Sequence, residues 1–167
     1  PGMTSEDLAE FNYGRDIFNH VWTTVEHADG TQSGLGPLFS ANSCAACHIN
    51  DGRGHPPINE GSPTQSLAVI VGIPQADKSP LPDPIYGKQI QDIASGTAPE
   101  ARVIVQYTEE QIELADGAAV HLRRPTIRLE ELAFGPLDKQ TRISSRIAPQ
   151  IIGLGYLEGV SADQLAV

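Results

Sequence analysis

Cysteine occurs twice in the chain, at Cys44 and Cys47, and the residue after the second is His48. Two thiols one helical turn apart can each add to a vinyl group of a porphyrin, and a histidine next in the chain can turn its imidazole to the iron. The pentapeptide Cys44-Ala45-Ala46-Cys47-His48 therefore predicts one covalently attached haem c. In this reading Cys44 and Cys47 carry the thioethers and His48 is an axial iron ligand.

The same letters have two other uses. A redox dithiol of the thioredoxin kind needs a surrounding βαβ pattern, which the sequence lacks. A structural zinc site needs a second histidine, and His55 could join Cys44, Cys47 and His48 across the loop Asn50-Asp51-Gly52-Arg53-Gly54. The histidine directly after the second cysteine is the feature that haem attachment specifically demands, and it ranks haem first. No thiol is left over for a separate disulfide.

The opposite face of the iron has no assigned ligand. Met3 is the sole methionine and sits near the start of the chain, so the usual methionine partner of electron-transfer cytochromes is missing. His20, His27, His55 and His121 are the candidate sixth ligands, and an open position is the other choice. Each has an ordinary role as well: His20 on a helix among core residues, His27 in a polar loop, His55 close behind His48, and His121 on a strand facing away from Val120 and Leu122. Arg53, Arg123, Arg124 and Arg128 could pair with the haem propionates. They could equally be solvated or paired with the chain's own carboxylates.

The elements that must position these residues follow from patterning. Leu8, Phe11, Phe18, Val21 and Trp22 recur at helical spacing, and Thr4 with Asp7 forms a capping box, so a helix is predicted from Thr4 to about Trp22. Turn residues from His27 to Pro37 predict a loop delivering Leu38 and Phe39 to a short helix bearing Cys44, Cys47 and His48. Asp51 to Pro84 reads as irregular apart from Leu67–Val71, a short strand or a buried turn. Tyr86 to about Ser95 reads as a short helix stopped by Gly96. Arg102–Thr108 and Val120–Pro125 alternate as strands around Asp116-Gly117, predicting a β-hairpin. A buried helix is predicted near Ala148, and Ser161 with Gln164 opens another.

A chain of 167 residues fits one domain able to bury a core unaided. Its 16 glycines and 13 prolines predict long ordered loops. A formal net charge of -10 argues against nucleic acid or an anionic membrane surface as partner. No apolar run is long enough to span a bilayer, and Pro1-Gly2-Met3 does not resemble the start of a secretory signal. There is no internal repeat or low-complexity tail. The expected fold is mainly α: a cytochrome c-like haem domain with long loops and one β-hairpin.

The stretch Gly34-Leu-Gly-Pro-Leu-Phe-Ser-Ala-Asn-Ser-Cys-Ala-Ala-Cys-His48, followed by Asp51-Gly-Arg-Gly54, resembles the bacterial di-haem oxidoreductases, also called thiol oxidoreductases. Tyr86–Gln91, Leu122–Pro125, Phe134–Leu137 and Ile147–Gly155 resemble the same family in the same order. That family is similar in plan to the di-haem cytochrome c peroxidases, with one haem motif in each half. The resemblance carries over only Cys44, Cys47 and His48, and no catalytic residue. A second Cys-x-x-Cys-His is absent, so residues 1–167 are expected to be the N-terminal haem portion of a longer di-haem protein.

Three functions stand as expectations. The first is a haem-dependent, peroxidase-like oxidoreductase with an accessible iron. The second is an electron-transfer cytochrome c domain with six-coordinate iron, and the third, behind both, is a structural zinc domain. The implied partner is an electron donor or acceptor protein, or a second haem domain; the oligomeric state is not implied. Covalent haem attachment also implies a periplasmic location.

Overall fold

The structure, a computed structural model, describes residues 4–24, 34–59, 61–62, 64–76 and 78–165. The chain begins with helix α1 (Ser5–Asn19), then strand β1 (Leu38–Phe39), the single-turn helix α2 (Cys44–Cys47) and a 3-10 turn at Ile49–Asp51. Strands follow: β2 (Leu67–Gln75), β3 (Lys78–Leu81), β4 (Ile93–Ala94), β5 (Arg102–Glu113), β6 (Ala119–Glu130) and β7 (Arg142–Ile147). Two short helices close the chain, α3 (Leu154–Glu158) and α4 (Ala162–Leu165).

The expectation of a mainly α cytochrome c-like fold is wrong. Strand accounts for 34% of the structure and helix for 20%, and only α1 is long. Three small antiparallel sheets are present among the described residues: β1-β4, β3-β2-β7 and β5-β6. The reason lies in β2. Leu67, Val69 and Val71 alternate inward and are almost fully buried, so this run is the central strand of a sheet. Its partner β7 pairs from Leu67↔Ile147 to Gly72↔Arg142, and the sequence Arg142–Ile147 carries too little apolar alternation to announce a strand.

The helix expected from Tyr86 to Ser95 is absent for a related reason. Tyr86 and Ile90 are both buried, as helical spacing suggests, yet the backbone between them binds β2: Val71 N–H donates to Lys88 O at 2.9 Å and Ile90 N–H to Val69 O at 3.0 Å. The buried helix expected near Ala148 is also corrected. Residues 148–151 are irregular, a turn follows at Ile152 and Gly153, with Gly153 left-handed at φ 86°, and the helix starts only at Leu154, with exposed Leu154, Tyr156 and Leu157.

Other local expectations hold. Thr4 Oγ1 accepts from Asp7 N–H while the Asp7 carboxylate accepts from Thr4 N–H, which completes the capping box of α1. Ser161 N–H donates to Gln164 Oε1 at the start of α4. The hairpin forms with twelve residues in each strand, longer than the pattern suggested, and Gly117 takes the left-handed position (φ 82°) in its turn. Pro125 is tolerated in β6 because a two-stranded ribbon leaves each strand an open edge.

The base of the ribbon and the three-stranded sheet share one core. Val69, Val71, Tyr86, Ile90 and Ala101 form its centre, with Val103, Ile127, Leu129, Leu132 and Leu137 packed against it. Beside this core, Asp83 is 2% exposed. Its carboxylate accepts from the backbone N–H groups of Ile85, Tyr86 and Asp138 and from the Thr141 hydroxyl. Burial by itself would raise this carboxyl, but these four bonds overcome it and hold the group at about 2.

Because the folded value lies below the ordinary one, the stabilisation is complete above about pH 4 and disappears as the pH falls towards 2. Asp83→Asn is expected to lower stability at pH 7 by about 2 kcal/mol. Urea unfolding of the variant should also show a shallower loss of stability than the wild type between pH 4 and pH 2.

Candidate functional site

Helix α2 is one turn capped at both ends. Ser43 Oγ accepts from Ala46 N–H at 3.0 Å, and His48 N–H donates to Cys44 O at 3.0 Å. A residue and its third successor lie on one helical face, so Cys44 and Cys47 are presented on the same side. Both are free thiols, Cys44 the more exposed.

Two distant segments, at Ser66 and at Ala148–Pro149, tie α2 down. Ser66, just before β2, donates from its hydroxyl to Cys47 O at 2.9 Å. Ala148, just after β7, donates its N–H to Ser66 O at 3.0 Å and accepts from Gly54 N–H at 2.9 Å. The next residue delivers the contact that defines the site: Pro149 O lies 2.6 Å from His48 Nδ1. A carbonyl can only accept, so Nδ1 carries a proton, and in the neutral ring Nε2 then keeps its lone pair. A metal-binding histidine is held in this way, with the second ring nitrogen fixed by a backbone carbonyl.

The turn after His48 is unusual. Asn50 (φ 54°) and Asp51 (φ 57°) are consecutive left-handed residues without being glycine. The turn closes through Asp51 N–H to His48 O at 3.1 Å and Gly52 N–H to Ile49 O at 3.0 Å.

Helix α1 contributes an apolar wall. It has no buried residue, and Phe11 is 57% exposed. Phe11 and Phe18, with Asp51 and Ile151 to Gly155, enclose a cavity of about 640 Å³. Phe18 also places its ring 6.2 Å from that of His48. The cleft is mainly apolar, with Arg15 and Asp51 also in its lining, and approaches His48 through Phe18; Cys44, Cys47 and His48 are not among its lining residues.

Burial pushes the Cys47 thiol up, with Cys44 and Asp92 adding to the effect. The Asp92 carboxyl is itself raised by burial, against the opposing hydrogen bond from Thr64. A redox dithiol requires the reverse, a thiol stabilised as thiolate, and a βαβ setting. The sheets among the described residues are all antiparallel. Among those residues no three His, Cys, Asp or Glu side chains gather as a metal-holding group, so exposed His55 does not join the two cysteines as zinc would require.

The other sequence candidates scatter. Arg123 donates to Ile58 O at 3.0 Å and lies 4.3 Å over the Tyr107 ring. Arg124 pairs with Glu110 at 2.7 Å, and Arg128 bonds Gln106 at 2.9 Å. Arg53 is exposed, with no partner among the described residues. His121 is on the exposed arm of the ribbon, opposite Gln111. His27 lies outside the described residues. His20 is the C-cap of α1, and its Nε2 is buried without a hydrogen-bond partner.

Pro149 and Ser66 were missed by sequence reasoning, because a backbone carbonyl and a serine hydroxyl carry no motif. Comparison with family models, curated proteins and solved structures finds no match to this chain. No helix among the described residues is long and apolar enough to cross a membrane.

Gly54 is packed so tightly that an added Cβ would stand 2.5 Å from Ser66 Cβ and 2.8 Å from Cys47 O. Gly54→Ala is expected to destabilise the protein by about 1–3 kcal/mol in urea unfolding. Gly14→Ala, where an added Cβ meets nothing within 4 Å, should instead stabilise α1 by up to about 1 kcal/mol.

Proposed function

We propose that this chain is a c-type haem redox domain, the haem-bearing part of a di-haem oxidoreductase. The observation that carries the proposal is the 2.6 Å contact from His48 Nδ1 to Pro149 O, which leaves Nε2 free for iron. Cys44 and Cys47 would attach the group, each S–H adding across a vinyl double bond to form one S–C bond, with the hydrogen going to the other vinyl carbon and no net oxidation.

Bound there, haem iron would supply one-electron chemistry between its ferric and ferrous states. Phe11, Phe18, Ile151 and Leu154 would cover part of the ring and exclude water from it, which favours the less charged ferrous state. The electron partner in this reading is a second haem domain or a donor or acceptor protein, with assembly in the periplasm. A peroxidase-like reaction is the activity this reading favours for the full protein, and no acid–base residue is assigned to it.

A pyridine haemochrome spectrum of protein produced with a periplasmic haem c maturation system tests the proposal. One haem per chain is expected, retained through acid–acetone extraction. The Cys44→Ser/Cys47→Ser double variant should lose it completely. A wild-type chain without haem under these conditions, or with haem that extracts, would show the proposal to be wrong.

A further inference from the structure

We infer that the ribbon, where residues 56–59 cross it, binds a small organic carboxylate with a compact apolar tail, the acid group on Arg123 and the tail in the cavity beside it. The inference is independent of the haem reading.

Two cavities meet at this crossing, and Val105, Tyr107 and Arg123 line both. The inner cavity, of about 190 Å³, is walled chiefly by Pro56, Leu67, Ile127 and Ile147, with Ser145 also in its lining. The outer one, of about 480 Å³, opens to solvent beside Ile58 and Asn59. Tyr107 and Arg123 therefore belong to the wall common to the two.

Arg123 is held in place by the fold itself. Its guanidinium lies 4.3 Å over the Tyr107 ring and donates to Ile58 O at 3.0 Å. Tyr107 in turn donates its hydroxyl to Pro57 O at 2.5 Å. A guanidinium carries five N–H donors in a planar fork, so this arrangement leaves donors over.

The ribbon's other arginines have acidic partners: Arg102 and Arg128 meet Glu130, Arg102 also Glu131, and Arg124 meets Glu110. Arg123 has no carboxylate partner among the described residues. Glu109, its cross-strand neighbour, lines the outer cavity without pairing with it. In a chain of net charge -10, a pre-positioned guanidinium without a carboxylate, set beside an apolar cavity, is the exception. The fork pairs a carboxylate through two parallel hydrogen bonds, and an apolar volume of this size accepts a phenyl ring or a short alkyl chain. Few polar groups at the mouth of an apolar pocket are the usual plan of a small-molecule site.

Isothermal titration calorimetry and protein NMR of the full chain with phenylacetate test the inference. Saturable binding is expected, at one site per chain, with a Kd of about 1 mM or tighter. Acetate, which lacks the tail, and phenylacetamide, which lacks the charge, should each bind about tenfold more weakly or worse. Arg123→Met, which keeps the stem beside Tyr107 and removes the charge, should weaken phenylacetate by at least about tenfold. Ser145→Leu, which fills the inner cavity, should weaken it similarly, with both variants shown to be folded by circular dichroism. Absence of saturable binding to the wild type overturns the inference. Equal binding of phenylacetamide, or unchanged affinity in either folded variant, overturns it too. Should a variant not fold, the wild type alone decides: phenylacetate must shift the signals of Val105, Arg123 and Ile127, and shifts confined elsewhere overturn the assignment.

Discussion

The site depends on one hydrogen bond, from the His48 ring to the carbonyl of Pro149, 101 residues away in sequence. It forms because β7 pairs along β2 until Ile147 meets Leu67, which brings Ala148 and Pro149 out beside Ser66. Ser66 holds Cys47, Gly54 holds Ala148, and α2 is thereby built into the end of a sheet. A four-residue helix has no stability of its own, since nucleation is unfavourable and only one turn is formed. Its orientation is a property of the β2–β7 pairing.

The strand-rich core follows from where apolar residues can be buried. β2 supplies three alternate buried side chains, and the ribbon supplies Ile104 and Val105, while α1 supplies none. Asp83 joins the chain before Tyr86 to the segment entering β7 through Asp138 and Thr141. The carboxylate that binds these loops therefore also steadies the strand from which Pro149 emerges.

Helix α1 is the counterpart. Its capping is complete, yet its apolar residues face a cleft rather than a packed neighbour. Tertiary burial supplies most helical stability in proteins, and α1 has little of it among the described residues. A flat apolar group in the cleft would give Phe11 and Phe18 further contact, and would couple the ordering of α1 to cofactor binding.

The proposed attachment chemistry was legible in the sequence alone, because the motif is local: two cysteines one turn apart and a histidine next to them need no tertiary information to be recognised. The sequence also determined the capping box of α1, the contact of Ser161 with Gln164 that opens α4 and the hairpin turn at Asp116-Gly117, each set by residues within a few positions of one another. The fold class was not legible in the same way. Tyr86, Ile90 and Ile93 carry helical spacing, and tertiary pairing overrides it: Lys88 and Ile90 hydrogen-bond to β2, and Ile93 pairs with Phe39 of β1. The partner of His48 was invisible for a sharper reason: every residue has a carbonyl, and only the register of β7 on β2 selects that of Pro149.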